Sequence, residues 1–406
     1  MRNIIYKNTT KETANSLKVL HVTPFFPPDR GGISTHVISL CDNLSRYGNK
    51  VSFMAPKRLY DKKEVKVFRD IFLVPSFYLP GWPYPTLRSV SVPIDMGCKI
   101  HSIIRKGNFD IIHVHGHHYP ISWLAINAAH KQGIPSILTM HGMYALSPSV
   151  MGGETKLEQY FNKFIFSRIL ERTTAVIGLT KQITMYGRKF GKESIKFFTI
   201  PNGVNCNLYR ENISKKLEYR AKYNLNAESI VILFSGRFER VKGVLEFARA
   251  AKNIVRTKGK AVEVVMVGTG SLESEIKSIF QGVQGVHILE WQRSDVIHEI
   301  YIVSDIFVNP SKFEALPITI VEAMNAHLHI VYTPVGGVPD ILEEYSQKTM
   351  LKHATTDEIQ KVLINLMTDL NSTTKSGNSL ANAERFDWNT IADSVNKAYR
   401  DVLNPS

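Results

Sequence analysis

A chain of 406 residues with 44% hydrophobic content is long enough for two or three domains with substantial cores. No run of about 18 apolar residues occurs, which excludes a membrane-spanning helix, and the scattered Cys41, Cys98 and Cys206 argue against a disulfide framework and for a reducing compartment, the cytoplasm by default. The net charge of +14 is one-sided: residues 1–204 hold 27 Lys and Arg against 12 Asp and Glu, while residues 205–406 hold 23 against 24. The basic half suggests an anionic membrane surface or an anionic acceptor as partner, or mere solubility. No zinc-finger or RNA-recognition module accompanies it, so nucleic acid is not expected.

Residues 1–16, MRNIIYKNTTKETANS, have neither the apolar core nor the cleavage site of a secretory signal and read as a flexible segment. Short β-rich runs then alternate with helical patterns, the grammar of parallel sheets covered by helices. Strands are predicted at Lys18–Thr23, Val51–Ala55, Ile111–His115, Ser136–Met140, Ala175–Leu179 and Phe197–Ile200 within a first domain, 17–203. Pro201-Asn202-Gly203 is a turn signal at its end. A second domain, 204–385, has strands predicted at Ile230–Ser235, Val262–Val267, Val286–Leu289, Ile306–Asn309 and His329–Tyr332. The carboxyl ends of such sheets are where ligands bind.

Several segments carry candidate chemistry. Gly31-Gly32 opens a helix after the first strand, so backbone amides there could meet a ligand with no side chain in the way, although a plain loop turn explains the pair as well. Phe72–Trp82 mixes aromatics with Pro and Gly and reads as an acceptor-side or membrane-facing loop. Tyr160–Arg172 has apolar and basic residues at helical spacing, as an interfacial helix would, or as core packing would. His113, His115, His117 and His118 suggest a zinc site, but the alternation fits a buried strand and no carboxylate or cysteine completes the set. His141 sits just past a strand, as a ligand contact or a turn histidine. Arg237 and Lys242 lie between a strand and a helix start, where cations oppose the dipole unless an anion lies between them. Gly268 and Gly270 form an incomplete dinucleotide fingerprint.

The most informative run is Phe313–Met324. Pro317 suits the first turn of a helix, so Glu314 falls just before it and the amides of Leu316, Ile318 and Thr319 point outward, a ready anion site. Glu322 is the only charge in the apolar stretch that follows. It needs a hydrogen-bonding partner, such as a ribose or a core Arg or Lys.

Glu314 and Glu322, with seven residues between them, resemble the paired glutamates of retaining, nucleotide-sugar-dependent glycosyltransferases of family 4. The resemblance runs roughly from Leu17 to Leu403 and implies the α/β GT-B architecture, two facing Rossmann-like domains with a cleft between them and a C-terminal helix, 386–406, that crosses back to the first domain. It assigns Glu314 to the donor sugar, Glu322 to the ribose, and Arg237 and Lys242 to the leaving diphosphate. Gly31 and Gly32 would face that diphosphate, His141 the donor sugar, and Gly268 and Gly270 the nucleotide base. Gly336-Gly337-Val338-Pro339-Asp340 matches a further family turn. The chain departs from the family at Asn205, Glu290, His327 and His329; His327 replaces a glycine suited to the helix C-cap.

The resemblance implies transfer of a sugar, with retention, from a nucleotide-diphosphate sugar to an acceptor hydroxyl, in cell-surface polysaccharide or glycolipid synthesis. The expected partners are the nucleotide-sugar donor, a sugar or lipid-linked saccharide acceptor and an anionic membrane surface. No Asp-x-Asp pair occurs to hold a metal on the diphosphate, so fixed cations are expected to neutralise the leaving group with no cofactor and no metal. The alternatives are a non-catalytic nucleotide-sugar or membrane-binding module of the same fold and a nicotinamide-dependent oxidoreductase, for which the complete glycine fingerprint and its acidic ribose partner are missing.

Overall fold

The computed structural model of the chain describes residues 16–25, 32–58, 70–78, 90–143, 156–293, 295–370 and 383–404. The chain divides into two compact units, Met1–Gly203 together with Trp388–Ser406, and Val204–Asp387.

In the first unit the strands are β1 (Lys18–Val22), β2 (Lys50–Arg58), β3 (Ile71–Tyr78), β4 (Ser91–Pro93), β5 (Ile111–His115), β6 (Ser136–Met140), β7 (Ala175–Gly178) and β8 (Lys196–Thr199). They form one sheet ordered β4-β3-β2-β1-β5-β6-β7-β8, parallel except for the β3–β4 pair. The order runs outward in both directions from β1, so the switch point lies between β1 and β5. On one face, Val19, Ile111, Ile137 and Ile177 pack against Trp388, Ile391, Val395 and Tyr399 of the C-terminal helix Trp388–Leu403.

β3 corrects an expectation. Phe72, Phe77 and Tyr78 lie on a strand, not in a loop, and Trp82 lies outside the described residues. Pro75 obscured it, because a proline cannot donate to the ladder and usually argues against a strand interior; here its carbonyl accepts from Ile94 N at 3.0 Å.

The second unit holds β9 (Ile230–Ser235), β10 (Val262–Val267), β11 (Val286–Leu289), β12 (Ile306–Asn309), β13 (His329–Tyr332) and β14 (Lys348–Met350). They are ordered β11-β10-β9-β12-β13-β14 and all parallel, with the switch point between β9 and β12. The β10 strand VEVVMV is buried at every position, as a central parallel strand covered on both faces should be. No described helix is long and apolar enough to cross a membrane.

Candidate active site

The second unit gathers most of the candidate residues at the carboxyl ends of β9 and β12. The 3-10 turn Arg240–Lys242 follows β9 and ends at Gly243, whose φ of 64° is left-handed and where a Cβ would stand 2.1 Å from the Pro310 carbonyl oxygen. The loop after β12 is tied to that turn, since Lys312 N donates to Val241 O at 2.8 Å. On its other side Gly336 presses on the backbone of Glu314, and Gly337 N donates to Ala315 O at 2.9 Å. The wedged loop carries Glu314 into a buried position, 6% exposed. There Lys242 Nζ donates to both carboxylate oxygens at 2.7 and 2.8 Å, and Ser311 Oγ donates to Oε1 at 2.7 Å.

The helix predicted after Glu314 spans Ile318–Asn325. Pro317 is its N-cap, with extended backbone (φ −74°, ψ 112°), one position earlier than expected, because the chain must leave the Glu314 loop before it can coil. The amides of Ile318 and Thr319 belong to the first turn, which lacks intrahelical acceptors, and the dipole adds positive potential there. Leu316 is buried and precedes the cap, so its amide is not part of the helix start.

Glu322 follows on the same helix, and neither Arg nor Lys among the described residues pairs with it, which removes the core ion-pair alternative. Burial pushes its carboxyl up to about 7 against the downward pull of the Tyr301 hydroxyl. The buried hydroxyls of Tyr209 and Tyr301 both feel this carboxyl, yet neither completes a hydrogen bond of good geometry. Polar groups left in this state are open to a hydroxylated ligand.

Arg237 is exposed and enters no ion pair among the described residues. Its loop is shaped by Gly268 and Gly270: a Cβ on the first would stand 1.9 Å from Gly236 O, and on the second 2.4 Å from Phe238 O. Packing of the Arg237 loop therefore accounts for both glycines. Gly32 differs. It begins the helix Gly32–Arg46 in the first unit, and a Cβ added there meets nothing within 4 Å, so internal packing does not require its bare amide. Gly31 lies outside the described residues.

His141 follows β6 in the first unit and is half-buried, with Nε2 3.3 Å from His115 Nδ1. The four-histidine cluster expected from the sequence is divided. His117 and His118 lie against each other at 3.5 Å between ring centres, beside Phe166 and Phe161. His113 and His115 stack at 4.4 Å and join His21 and His36, which the sequence reading missed. His21 pairs in register with His113 on the neighbouring strand, a proximity visible only once the sheet order is known. Burial keeps these rings neutral, with His21 lowered to about 3 and His36 to about 4. The nitrogens of His21, His113 and His115, and of His36, His115 and His141, lie within 4.8 Å of one another.

Two largely parallel-sheet α/β units, the second with its candidate residues at the switch point, define the class: this is the GT-B fold of glycosyltransferases. The match to solved structures is of that kind. Sucrose-phosphate synthase from Thermosynechococcus elongatus superposes with a TM-score of 0.71 at 18% identity, covering 96% of this chain and 100% of that one. HepE from Anabaena, in complex with UDP, does so at 0.67 and 17% identity, covering 95% and 100%. The family model described as Glycosyltransferase Family 4 matches residues 30–208, and that described as Glycosyl transferases group 1 matches residues 215–383. The chain belongs to the group 1, family 4 glycosyltransferases and is an enzyme of that activity. A curated relative from Escherichia coli, UDP-Gal:alpha-D-GlcNAc-diphosphoundecaprenol alpha-1,3-galactosyltransferase, is 29% identical over 262 residues, 62% of this chain and 66% of that enzyme. These matches do not favour the oxidoreductase or the silent binding module.

Proposed function

We propose that the enzyme transfers a sugar, with retention at the anomeric carbon, from a nucleotide-diphosphate donor to the hydroxyl of a lipid-linked saccharide. The observation that carries this reading is the convergence of Lys242, Glu314 and the first turn of Ile318–Asn325 at the β9–β12 switch point, with Arg237 on the neighbouring loop. Arg237, Lys242 and the amides of Ile318 and Thr319 hold the diphosphate and stabilise its growing charge, with no metal needed. The family resemblance assigns Gly32 to the same group. Glu314 binds hydroxyls of the donor sugar and Glu322 those of the ribose, and the family resemblance assigns His141 to a hydroxyl of the donor sugar. The bond from the anomeric carbon to the diphosphate oxygen breaks, the acceptor oxygen attacks the same face, and its proton passes to the departing phosphate.

The E. coli relative's name gives UDP-Gal as donor and a diphosphoundecaprenol-linked sugar as acceptor, and HepE was crystallised with UDP, which supports a uridine donor and a lipid-linked acceptor here. A surface in the first unit supports docking on an anionic membrane at its cytoplasmic face. The segment Lys156–Glu171 contains a π turn, Asn162–Phe166, which widens the helix so that Lys163, Phe164 and Ile165 all face outward while Phe161 and Phe166 stay buried. With Tyr160, 64% exposed, they make an apolar ridge flanked by basic side chains.

The test is turnover with UDP-sugars and a prenyl-diphosphate sugar acceptor in excess chelator, with the anomeric configuration of the product read by NMR. Retained configuration and undiminished rate are expected. An inverted product, or loss of turnover restored by a divalent cation, would remove this mechanism.

A further inference from the structure

Four histidines of the first unit and Tyr399 form a continuous hydrogen-bonded chain that ends at His141. His141 Nε2 lies 3.3 Å from His115 Nδ1, and His115 Nε2 lies 3.0 Å from His21 Nδ1. His21 Nε2 is 3.2 Å from the Tyr399 hydroxyl, which is 2.7 Å from His113 Nδ1, and His113 Nε2 is 2.7 Å from Thr139 Oγ1. His21, His113, His115 and Tyr399 are fully buried.

Burial keeps each imidazole neutral and the Tyr399 phenol protonated. A neutral imidazole has one N–H and one lone pair, so a ring bonded at both nitrogens must donate at one and accept at the other. The tyrosine hydroxyl has one proton for its two contacts. If it accepted both, its own O–H would be a buried donor with no acceptor, which is costly. The chain therefore has only two proton arrangements, all four rings protonated at Nε2 or all four at Nδ1. The contacts at Tyr399 choose between them: 2.7 Å to His113 suits a donating O–H, and 3.2 Å to His21 suits an accepted N–H.

We infer that Tyr399, on the C-terminal helix, is a positioning residue for His141: through His21 and His115 it keeps the His141 proton on Nε2 and leaves Nδ1 as an acceptor for a substrate hydroxyl. Its catalytic consequence rests on the proposed contact of His141 with the donor sugar; the protonation pattern does not. A metal in either histidine trio, His21, His113 and His115 or His36, His115 and His141, would compete with the ring-to-ring hydrogen bonds of His115, and among the described residues no carboxylate or thiolate joins either trio to offset its charge.

The experiment uses the full chain labelled with nitrogen-15 at histidine, in which two-bond correlations identify the protonated nitrogen of each ring. Wild type should show His21, His113, His115 and His141 all protonated at Nε2. In Tyr399→Phe the His21 Nε2–H loses its acceptor, so the arm reverses and His141 becomes protonated at Nδ1. Thr139→Val removes the acceptor of His113 Nε2–H and should reverse the whole chain from the other end, which keeps the test available if the first variant fails to fold. Turnover should fall about 5- to 10-fold in Tyr399→Phe, the worth of one hydrogen bond, and Tyr399→Phe should cost nothing further in a His141→Ala background. A His141 still protonated at Nε2 in both variants would overturn the inference, as would a cobalt(II) ligand-field band that requires His115. If the protons reverse and turnover does not change, the chain stands and the contact of His141 with the donor falls.

Discussion

Lys242 Nζ bonds both carboxylate oxygens of Glu314 across 72 residues of sequence. The cation proposed for the leaving diphosphate and the anion proposed for the donor sugar thus neutralise each other before any donor arrives. In the proposed reaction a bound diphosphate would compete for the lysine, and sugar hydroxyls would replace its hydrogen bonds at the carboxylate. The pair also ties the turn after β9 to the loop after β12, so part of its role is structural.

Lys242→Ala and Arg237→Ala should therefore differ, although the sequence alone treats them alike. Removing Lys242 leaves a buried carboxylate with Ser311 as its remaining side-chain donor, which should cost about 2–4 kcal/mol of stability as well as activity. Arg237 is exposed and outside any ion pair among the described residues, so its loss should leave the melting temperature unchanged and reduce turnover on the order of 100-fold. The double variant Lys242→Ala/Glu314→Gln should recover much of the lost stability. Calorimetry on the four proteins decides; equal melting temperatures for the two single alanine variants would show that the ion pair has no structural role.

Sheet strands with long apolar runs were readable because their pattern matches their burial. Ile230–Ser235, Val262–Val267 and Ile306–Asn309 were found at their observed limits. β14, three residues long with polar Lys348 and Thr349, and β3, interrupted by Pro75, gave no such signal. Within the site, the run from Glu314 to Glu322 was legible because a single helix start organises it. The Lys242–Glu314 bond and the His21–His113 register were not, since each joins segments brought together only by strand order.

The departure at His327 can be tested by restoring the glycine. His327 adopts φ 57° just past the C-cap Ala326, so the left-handed turn forms there despite the side chain. That conformation is strained for a residue with a Cβ, and His327→Gly should stabilise the fold by about 0.5–1 kcal/mol with turnover unchanged. A lower melting temperature in the variant would mean that contacts of the imidazole outweigh the backbone strain.

If Glu322 binds the ribose as proposed, nucleotide binding should depend on pH. Its folded value of about 7 lies above the usual carboxylate range, so the ligand-free protein gains stability from this group at low pH. The gain is complete below about pH 4.5 and disappears as the pH rises through about 7. A carboxylate must be ionised to accept hydrogen bonds from two ribose hydroxyls, so affinity should move the opposite way, rising as the pH passes about 7. Titration calorimetry with UDP between about pH 5.5 and 8.5 should show weaker binding at the acid end, and Glu322→Gln should bind weakly throughout. Equal pH profiles for wild type and variant would place the titrating group elsewhere.

The ridge of Tyr160, Phe164 and Ile165 leads to the remaining prediction. Lys156, Lys163 and Arg168 are exposed on the same segment, and Lys181, Arg188 and Lys189 on the helix Lys181–Phe190, which is joined to it by Asn162 Nδ2 donating to Tyr186 Oη at 2.6 Å. Each basic side chain near an anionic bilayer contributes roughly 1 kcal/mol, so a few of them suffice for reversible attachment. Apolar side chains inserted at the headgroup boundary then add binding that salt does not screen. The full chain should sediment with vesicles containing phosphatidylglycerol and not with neutral ones, and binding should fall as salt rises. Phe164→Ser/Ile165→Ser should lower what remains at high salt, while Lys163→Glu/Arg168→Glu should abolish binding at low salt. Equal sedimentation with neutral and anionic vesicles, or unchanged binding in both pairs of variants, would take this surface away from the membrane and leave the excess positive charge as a solubility feature.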